Sequence, residues 1–169
     1  FWLATSVHRD LNNYAYYGDR AGHFLGLWRH SEHEGELRLR TDDHSPRSIH
    51  RFTGIGGVLS APTRETRIFD PRERPWFKAG QQASLQTWTS IYIDFKTLEL
   101  VATRARSVPN AAGQFQGVVA TDLSLRRLND FLGTLRLTRQ GLAFIVEQDG
   151  LLIATSRGPQ IKPGAGGEN

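Results

Sequence analysis

The nine residues from Phe69 to Phe77 read Phe-Asp-Pro-Arg-Glu-Arg-Pro-Trp-Phe, so two arginines, two prolines and three aromatics share one short segment. A guanidinium presents a planar fork of donors that matches a carboxylate in bidentate fashion. The chemistry this segment is equipped for is the gripping of a small anion, which is recognition rather than catalysis. Pro71 and Pro75 each fix their own φ and hold the preceding residue extended, so Arg72 and Arg74 are displayed from an ordered backbone. Pro75 also suits the first position of a helix that continues through Trp76, Phe77, Lys78, Ala79 and Gly80 to about Ala83. A carboxylate held by Arg74 would lie near the positive end of that helix, with the Trp76 indole N–H as a further donor. The same residues fit a second reading, in which Arg72 and Arg74 make surface ion pairs and Trp76 and Phe77 are core.

The elements that follow supply acids. Trp88 to Phe95 alternates as a strand does, with Trp88, Ser90, Tyr92 and Asp94 on one face. A second strand pattern runs from Leu98 to about Arg106, and a third, Gly117 to Asp122, ends on a carboxylate. Asp94 and Asp122 therefore lie towards strand ends, where they could meet a ligand ammonium. Taken alone, Asp94 reads as a turn residue and Asp122 as the N-cap of the amphipathic stretch that begins at Leu123, with Ser124 competing for that cap.

These residues resemble a family. The Asp-Pro-Arg-x-Arg-Pro-Trp-aromatic turn, the Trp88 to Asp94 strand, the Gly113 to Asp122 block and the Leu-rich helix after it stand in the order found in double Cache domains. These are the PAS-like extracytoplasmic sensors of bacterial chemoreceptors, histidine kinases and cyclic-di-GMP enzymes. The resemblance covers most of the chain and is strongest from Phe69 to Leu135. It implies an α+β fold, a PAS-like antiparallel sheet with flanking helices. It also implies a membrane-distal module over residues 1–122, a connecting helix over 123–140, and the start of a truncated membrane-proximal module over 141–169. In the amino-acid-binding branch of the family, an arginine and a tryptophan of this turn hold the ligand carboxylate, while a tyrosine and two acids address its amino group. By position, the resemblance assigns Arg74 and Trp76 to the carboxylate and Tyr92, Asp94 and Asp122 to the amino group. Phe69 stands where the branch usually has tyrosine, five residues before Arg74, and Phe77 where it commonly has tyrosine. With Phe69 in place of tyrosine the hydroxyl is missing, which removes a polar contact and leaves open a ligand other than a standard amino acid.

Composition bounds the alternatives. A chain of 169 residues buries a real core, and the absence of cysteine excludes disulfides and thiolate metal sites. No stretch approaches the about 18 apolar residues of a membrane span, and the first residue is Phe, so the chain reads as a piece cut from a longer membrane-anchored protein. The net charge of +4 raises nucleic acid as a partner, but the basic residues are scattered and no nucleic-acid motif is present. The basicity reads as a solvated surface. His30, His33 and Glu34 cluster without a zinc-type spacing, so no metal and no cofactor is expected. Neither a Cys nucleophile nor a Gly-x-Ser-x-Gly elbow appears, so no catalytic residue is named.

The rest of the chain is organised around these elements. Phe1 to Asn13 reads as a helix end and connector, and Tyr14–Tyr17 and His23–Trp28 as the strands of an opening hairpin. Arg29 to Glu36 reads as a loop. Leu37 and Leu39 then alternate with Arg38 and Arg40 on the two faces of a half-buried strand. Ser48 to Phe52 reads as a short strand, and the glycines of 53–58 serve a turn, since neither a phosphate loop nor a dinucleotide fingerprint is complete. A helix is expected from Leu123 to about Thr138, and a hairpin over 142–155 around Asp149-Gly150. The function expected is a periplasmic or extracytoplasmic sensor domain of a transmembrane signalling protein that binds an amino acid or similar zwitterion, with homodimerisation in the full-length receptor. The alternatives are a structural or dimerising Cache module with a vestigial pocket, and a sensor for another carboxylate or amine.

Overall fold

The computed structural model describes residues 1–7, 14–135, 137–138, 140–147 and 149–157. They form two compact units, one from residues 1–89 and 103–122, the other from residues 90–102 and those described beyond 122.

The first unit is built on a large antiparallel sheet. In chain order its strands are β1 (Tyr14–Asp19), β2 (Phe24–Arg29), β3 (Glu34–Arg40), β4 (Ser48–Thr53), β5 (Thr63–Arg64), β6 (Gln86–Trp88), β8 (Leu100–Pro109) and β9 (Phe115–Ser124). They lie in the order β5-β4-β3-β2-β1-β9-β8-β6, so β9 returns from far along the chain to pair with β1. Two helices accompany them, α1 (Trp2–Val7) and α2 (Pro75–Gln82). The opening hairpin forms as expected, with Tyr16 opposite Gly26 and Gly18 opposite Phe24. Its turn is held by Asp19, whose Oδ1 accepts from the N–H of Ala21 and of His23 at 2.9 Å each. Gly22 in that turn has φ +90°, and a Cβ there would meet the Arg40 guanidinium at 2.9 Å.

The Arg29–Glu36 loop is shorter than the sequence suggests: β2 runs to Arg29 and β3 starts at Glu34, because Ser31 Oγ accepts from the N–H of Glu34 at 3.0 Å and closes a tight turn. The larger correction concerns β3. Arg38 and Arg40 do share one face, as the alternation requires, but it is the interior face, and each is only 2% exposed. Arg38 donates to Glu36 at 2.7 Å and lies over the Trp28 ring at 4.4 Å. Arg40 donates to the carbonyls of Gly22 at 2.6 Å and Asp43 at 2.7 Å. A guanidinium is weakly hydrated, planar and able to stack, so it enters an aromatic interior where a lysine would not. The solvated-surface reading of the basicity therefore fails for these arginines.

The expected strand from Trp88 to Phe95 is two strands. Thr89 interrupts it: its N–H donates to the Thr103 carbonyl, but its own side-chain Oγ1, in place of a backbone carbonyl, accepts the Thr103 N–H, both at 2.9 Å. β6 ends before that residue.

The second unit contains β7 (Tyr92–Ile93), which pairs with Leu100 and Val101, the helix α3 (Leu125–Thr134), and the hairpin of β10 (Phe144–Val146) and β11 (Leu152–Thr155). Gly150 in the hairpin turn has φ +88°, as the Asp-Gly pair predicts. Leu128 and Leu132 of α3 pack with Ala154 of β11. Between them the buried Asn129 accepts the Thr155 N–H at 2.8 Å and donates to the Leu125 carbonyl at 2.8 Å. The helix stops at Thr134, short of the expected Thr138. The connector to Asn13 and the glycine-rich end from Gly164 lie outside the described residues.

The buried pair Arg47–Glu65 joins the start of β4 to the approach of the Phe69–Phe77 turn, with Nε and Nη2 donating to the carboxylate at 2.8 and 3.0 Å. Glu65→Leu strips the buried guanidinium of its bidentate carboxylate and is expected to destabilise the chain by about 3–5 kcal/mol, whereas the double change Arg47→Met/Glu65→Leu costs much less. Urea unfolding of the two variants checks this, and equal losses would contradict it.

Candidate ligand-binding site

The turn is set by its first acid. Asp70 caps a 3-10 turn over Pro71–Glu73 by accepting the Arg72 N–H at 2.9 Å. The Arg72 side chain folds back on the same carboxylate, with Nε at 2.9 Å and Nη2 at 2.5 Å. Those side-chain bonds, followed by the backbone bond and the charges of Arg72 and Arg40, hold the Asp70 carboxyl below the usual carboxylate range against its partial burial. Arg72 is raised in turn, first by its hydrogen bond to Asp70. Arg40 reaches Asp70 at 3.7 Å from the interior side, while its Nε is buried without a hydrogen-bond partner among the described residues. The two arginines of the motif are thus not equivalent. Arg72 is engaged inside the turn, as the ion-pair reading had it, whereas Arg74 stands at the start of α2.

Arg74 closes the 3-10 turn and is also the N-cap of α2, in extended geometry at φ −79° and ψ 146°. Pro75 is the first helical residue, as expected, because its fixed φ suits that position and its missing N–H is not needed there. The Arg74 carbonyl accepts from Phe77 at 3.1 Å and Lys78 at 3.2 Å, and its half-buried side chain makes no capping bond. Trp76 and Phe77 turn inward, each 2% exposed. Gly18 is required beneath them: a Cβ on β1 at that point would come within 2.9 Å of both Pro71 and Trp76. Phe69 is buried too, with the Arg47 guanidinium 3.7 Å from its ring centroid and Phe24 edge-on at 4.9 Å.

Asp122, near the end of β9, is half-buried, and its Oδ1 accepts from two hydroxyls at 2.5 Å, those of Tyr16 on β1 and Thr103 on β8. It is not the N-cap of α3. Ser124 holds that position, and its hydroxyl donates to Glu99 at 3.3 Å instead of capping the helix. Within the first unit, Tyr16 links two of the predicted residues, since the ring that donates to Asp122 also packs edge-on against Trp76 with centroids 4.8 Å apart. Sequence reasoning missed Tyr16, Thr103 and Arg40. Asp70 was legible in principle, because an Asp before Pro with a turn after it is a capping signature.

Tyr92 and Asp94 belong to the second unit. Tyr92 lies opposite Val101 and is half-buried. Asp94 is a turn residue, whose Oδ1 accepts the N–H of Thr97 at 2.7 Å and of Lys96 at 3.0 Å and the Thr97 hydroxyl at 2.9 Å. A cleft of about 620 Å³ opens elsewhere in the first unit, between the β3–β4 strands and the glycine-rich loop, and is lined by His30, Arg51, Phe52 and Val58 but by none of the predicted residues. His30 stacks on Trp28 and stands 3.6 Å from Glu36. Among the described residues no group of three or more His, Asp or Glu side chains is arranged to hold a metal.

Because Asp70 carries a lowered carboxyl, its charge stabilises the fold above the ordinary carboxylate range, and that contribution is lost as pH falls through its folded value. Asp70→Asn keeps the cap and removes the charge, so its stability deficit is expected to be constant near neutrality and to shrink below about pH 4. Asp70→Ala loses the cap as well, a further cost of about 1 kcal/mol. Urea midpoints across pH distinguish the two, and a deficit for Asp70→Asn that grows in acid would refute the assignment.

Comparison with known proteins gives these residues a context. No family model matches the chain. Over 128 residues, 66% of its length, it is 39% identical to the methyl-accepting chemotaxis protein PctB of Pseudomonas aeruginosa, of which the match covers 20%. Among solved structures, the ligand-binding domain of the Pseudomonas fluorescens chemoreceptor CtaA in complex with L-serine matches with a TM-score of 0.53 at 30% identity, over 83% of this chain and 46% of that one. The ligand-binding domain of PctB in complex with L-Arg matches with a TM-score of 0.54 at 26% identity, over 83% of this chain and 45% of that one. The chain thus spans about half the length of these solved domains, and the α+β fold with a large antiparallel sheet is common to them.

Proposed function

We propose that this chain, a double Cache sensor domain related to the ligand-binding domains of Pseudomonas chemoreceptors, binds a free amino acid on the extracytoplasmic side of a membrane-anchored signalling protein. The observation that carries the proposal is that the first unit holds an arginine at a helix N-terminus, two residues before a tryptophan that one tyrosine links to an acid. Arg74 stands at the N-terminus of α2 beside Trp76, and Tyr16 packs on Trp76 while donating to Asp122. A carboxylate suits the arginine, where a guanidinium fork and the positive end of a helix coincide. An ammonium suits the acid, where the half-buried Asp122 carboxylate can accept a charge-assisted bond. A zwitterion answers both. Tyr92 and Asp94 remain candidates for the amino-group side by position in the sequence, and Phe69 for the wall of the site. We assign the chain no catalytic step, because its relatives are sensor domains. Among the described residues no helix is long and apolar enough to cross a membrane.

The test is calorimetry with L-serine, L-leucine and L-arginine, followed by L-leucine against isocaproate, which lacks the amino group, and isoamylamine, which lacks the carboxylate. Both analogues are expected to bind at least about tenfold more weakly than L-leucine, and Arg74→Ala to weaken L-leucine by about tenfold to a hundredfold with unchanged thermal unfolding. An analogue as tight as its parent refutes the two-ended site. No binding of any amino acid favours instead a structural module, in which Trp76 and Phe69 serve only as core.

A further inference from the structure

We infer that Tyr16 and Thr103 are positioning residues that set the orientation of the Asp122 carboxylate for the ligand ammonium, an inference that rests on the reading of Asp122 given above. β9 lies between β1 and β8 in the sheet, so Asp122 is flanked by one donor from each neighbouring strand. Tyr16 is registered opposite Ala120, two residues before Asp122 on the same face, and its long side chain reaches the acid diagonally. Both hydroxyls converge on the same oxygen, Oδ1, at 2.5 Å. The terminal torsion of an aspartate is broad and roughly two-fold, so nothing in the residue itself selects one rotation of the carboxylate. Two charge-assisted bonds to one oxygen do select it.

The donors are themselves held. Tyr16 is 2% exposed, and its ring is packed between Tyr14 at 4.7 Å and Trp76 at 4.8 Å between centroids. Thr103 is fully buried, and Thr89 binds its backbone on both sides, accepting its N–H and donating to its carbonyl at 2.9 Å each. The interruption of the Trp88–Phe95 strand at Thr89 thereby acquires a purpose, since it locks the residue that holds Asp122. Such preorganisation of a charged acceptor by its neighbours is a general way to raise affinity.

The experiment uses the full chain with L-leucine and isocaproate as probes, and the variants Tyr16→Phe, Thr103→Val and Asp122→Asn. Each hydroxyl deletion keeps the shape of its residue. Either one is expected to weaken L-leucine by about threefold to tenfold, to leave isocaproate unchanged, and to have no further effect in the Asp122→Asn background. If Asp122→Asn weakens L-leucine but both hydroxyl deletions bind as the parent does, the positioning role is overturned while the site reading stands. Equal weakening of L-leucine and isocaproate also overturns it, because a general packing role predicts that result. If Asp122→Asn itself binds L-leucine normally, or the parent chain binds none of L-serine, L-leucine and L-arginine, the site reading fails and this inference with it. Should Tyr16→Phe fold poorly, Thr103→Val decides alone.

Discussion

The guanidinium groups of Arg38, Arg40 and Arg47, the most deeply buried arginines described in the first unit, have left water, and the unit is arranged around compensating them. Removing a cation from water costs several kcal/mol even after relaxation, so each is held by acceptors or aromatic faces. Arg47 takes a bidentate carboxylate from Glu65 and a ring face from Phe69. Arg38 takes Glu36 and the rings of Trp28 and Tyr14; burial opposes the charge on Glu36, and Arg38 and His30 together lower its carboxyl all the same. Arg40 takes carbonyls from two turns and the edge of Asp70. A bond of this kind tolerates little displacement, so segments far apart in sequence are brought into fixed register.

The candidate site inherits that rigidity. Arg40 ties the β1–β2 turn, the β3–β4 turn and Asp70 to one planar group, and Asp70 shapes the 3-10 turn that ends at Arg74. Arg72 completes the turn from outside and is consumed in doing so. The two arginines of the motif therefore occupy different places, one closing the turn on Asp70 and the other capping α2. The packing also explains the tolerance of phenylalanine at position 69. That ring lies flat under the Arg47 guanidinium and edge-on to Phe24, a place in which its aromatic face does the work and a hydroxyl is not called upon.

Asp94 and Asp122 illustrate two fates for an acid near a strand end. Asp94 is satisfied locally, by the N–H groups and hydroxyl of residues two and three positions on, which is the usual economy of an Asx turn. Asp122 is satisfied across the sheet, by side chains that lie 106 and 19 residues away in sequence. The first would form in a short peptide. The second exists only once β1, β9 and β8 are in register.

What the sequence by itself determined is what short-range geometry dictates. The helix beginning at Pro75, the Asp149-Gly150 hairpin, the opening β1–β2 hairpin and the alternation in β3 all follow from fixed φ, positive-φ glycines and a period of two. The motif from Phe69 to Phe77 likewise carried the family resemblance, because its residues are contiguous. Tertiary structure decided the rest. Alternation says that Arg38 and Arg40 share a face but not that aromatic residues cover it, and that depends on β2 bringing Trp28 and Phe24 alongside. The strand ending at Thr89, the partners of Asp122 and the place of Tyr16 between Trp76 and that acid depend on pairings between strands distant in the chain. Register is a collective property of the folded sheet, and no local pattern encodes which donor will stand opposite which acceptor.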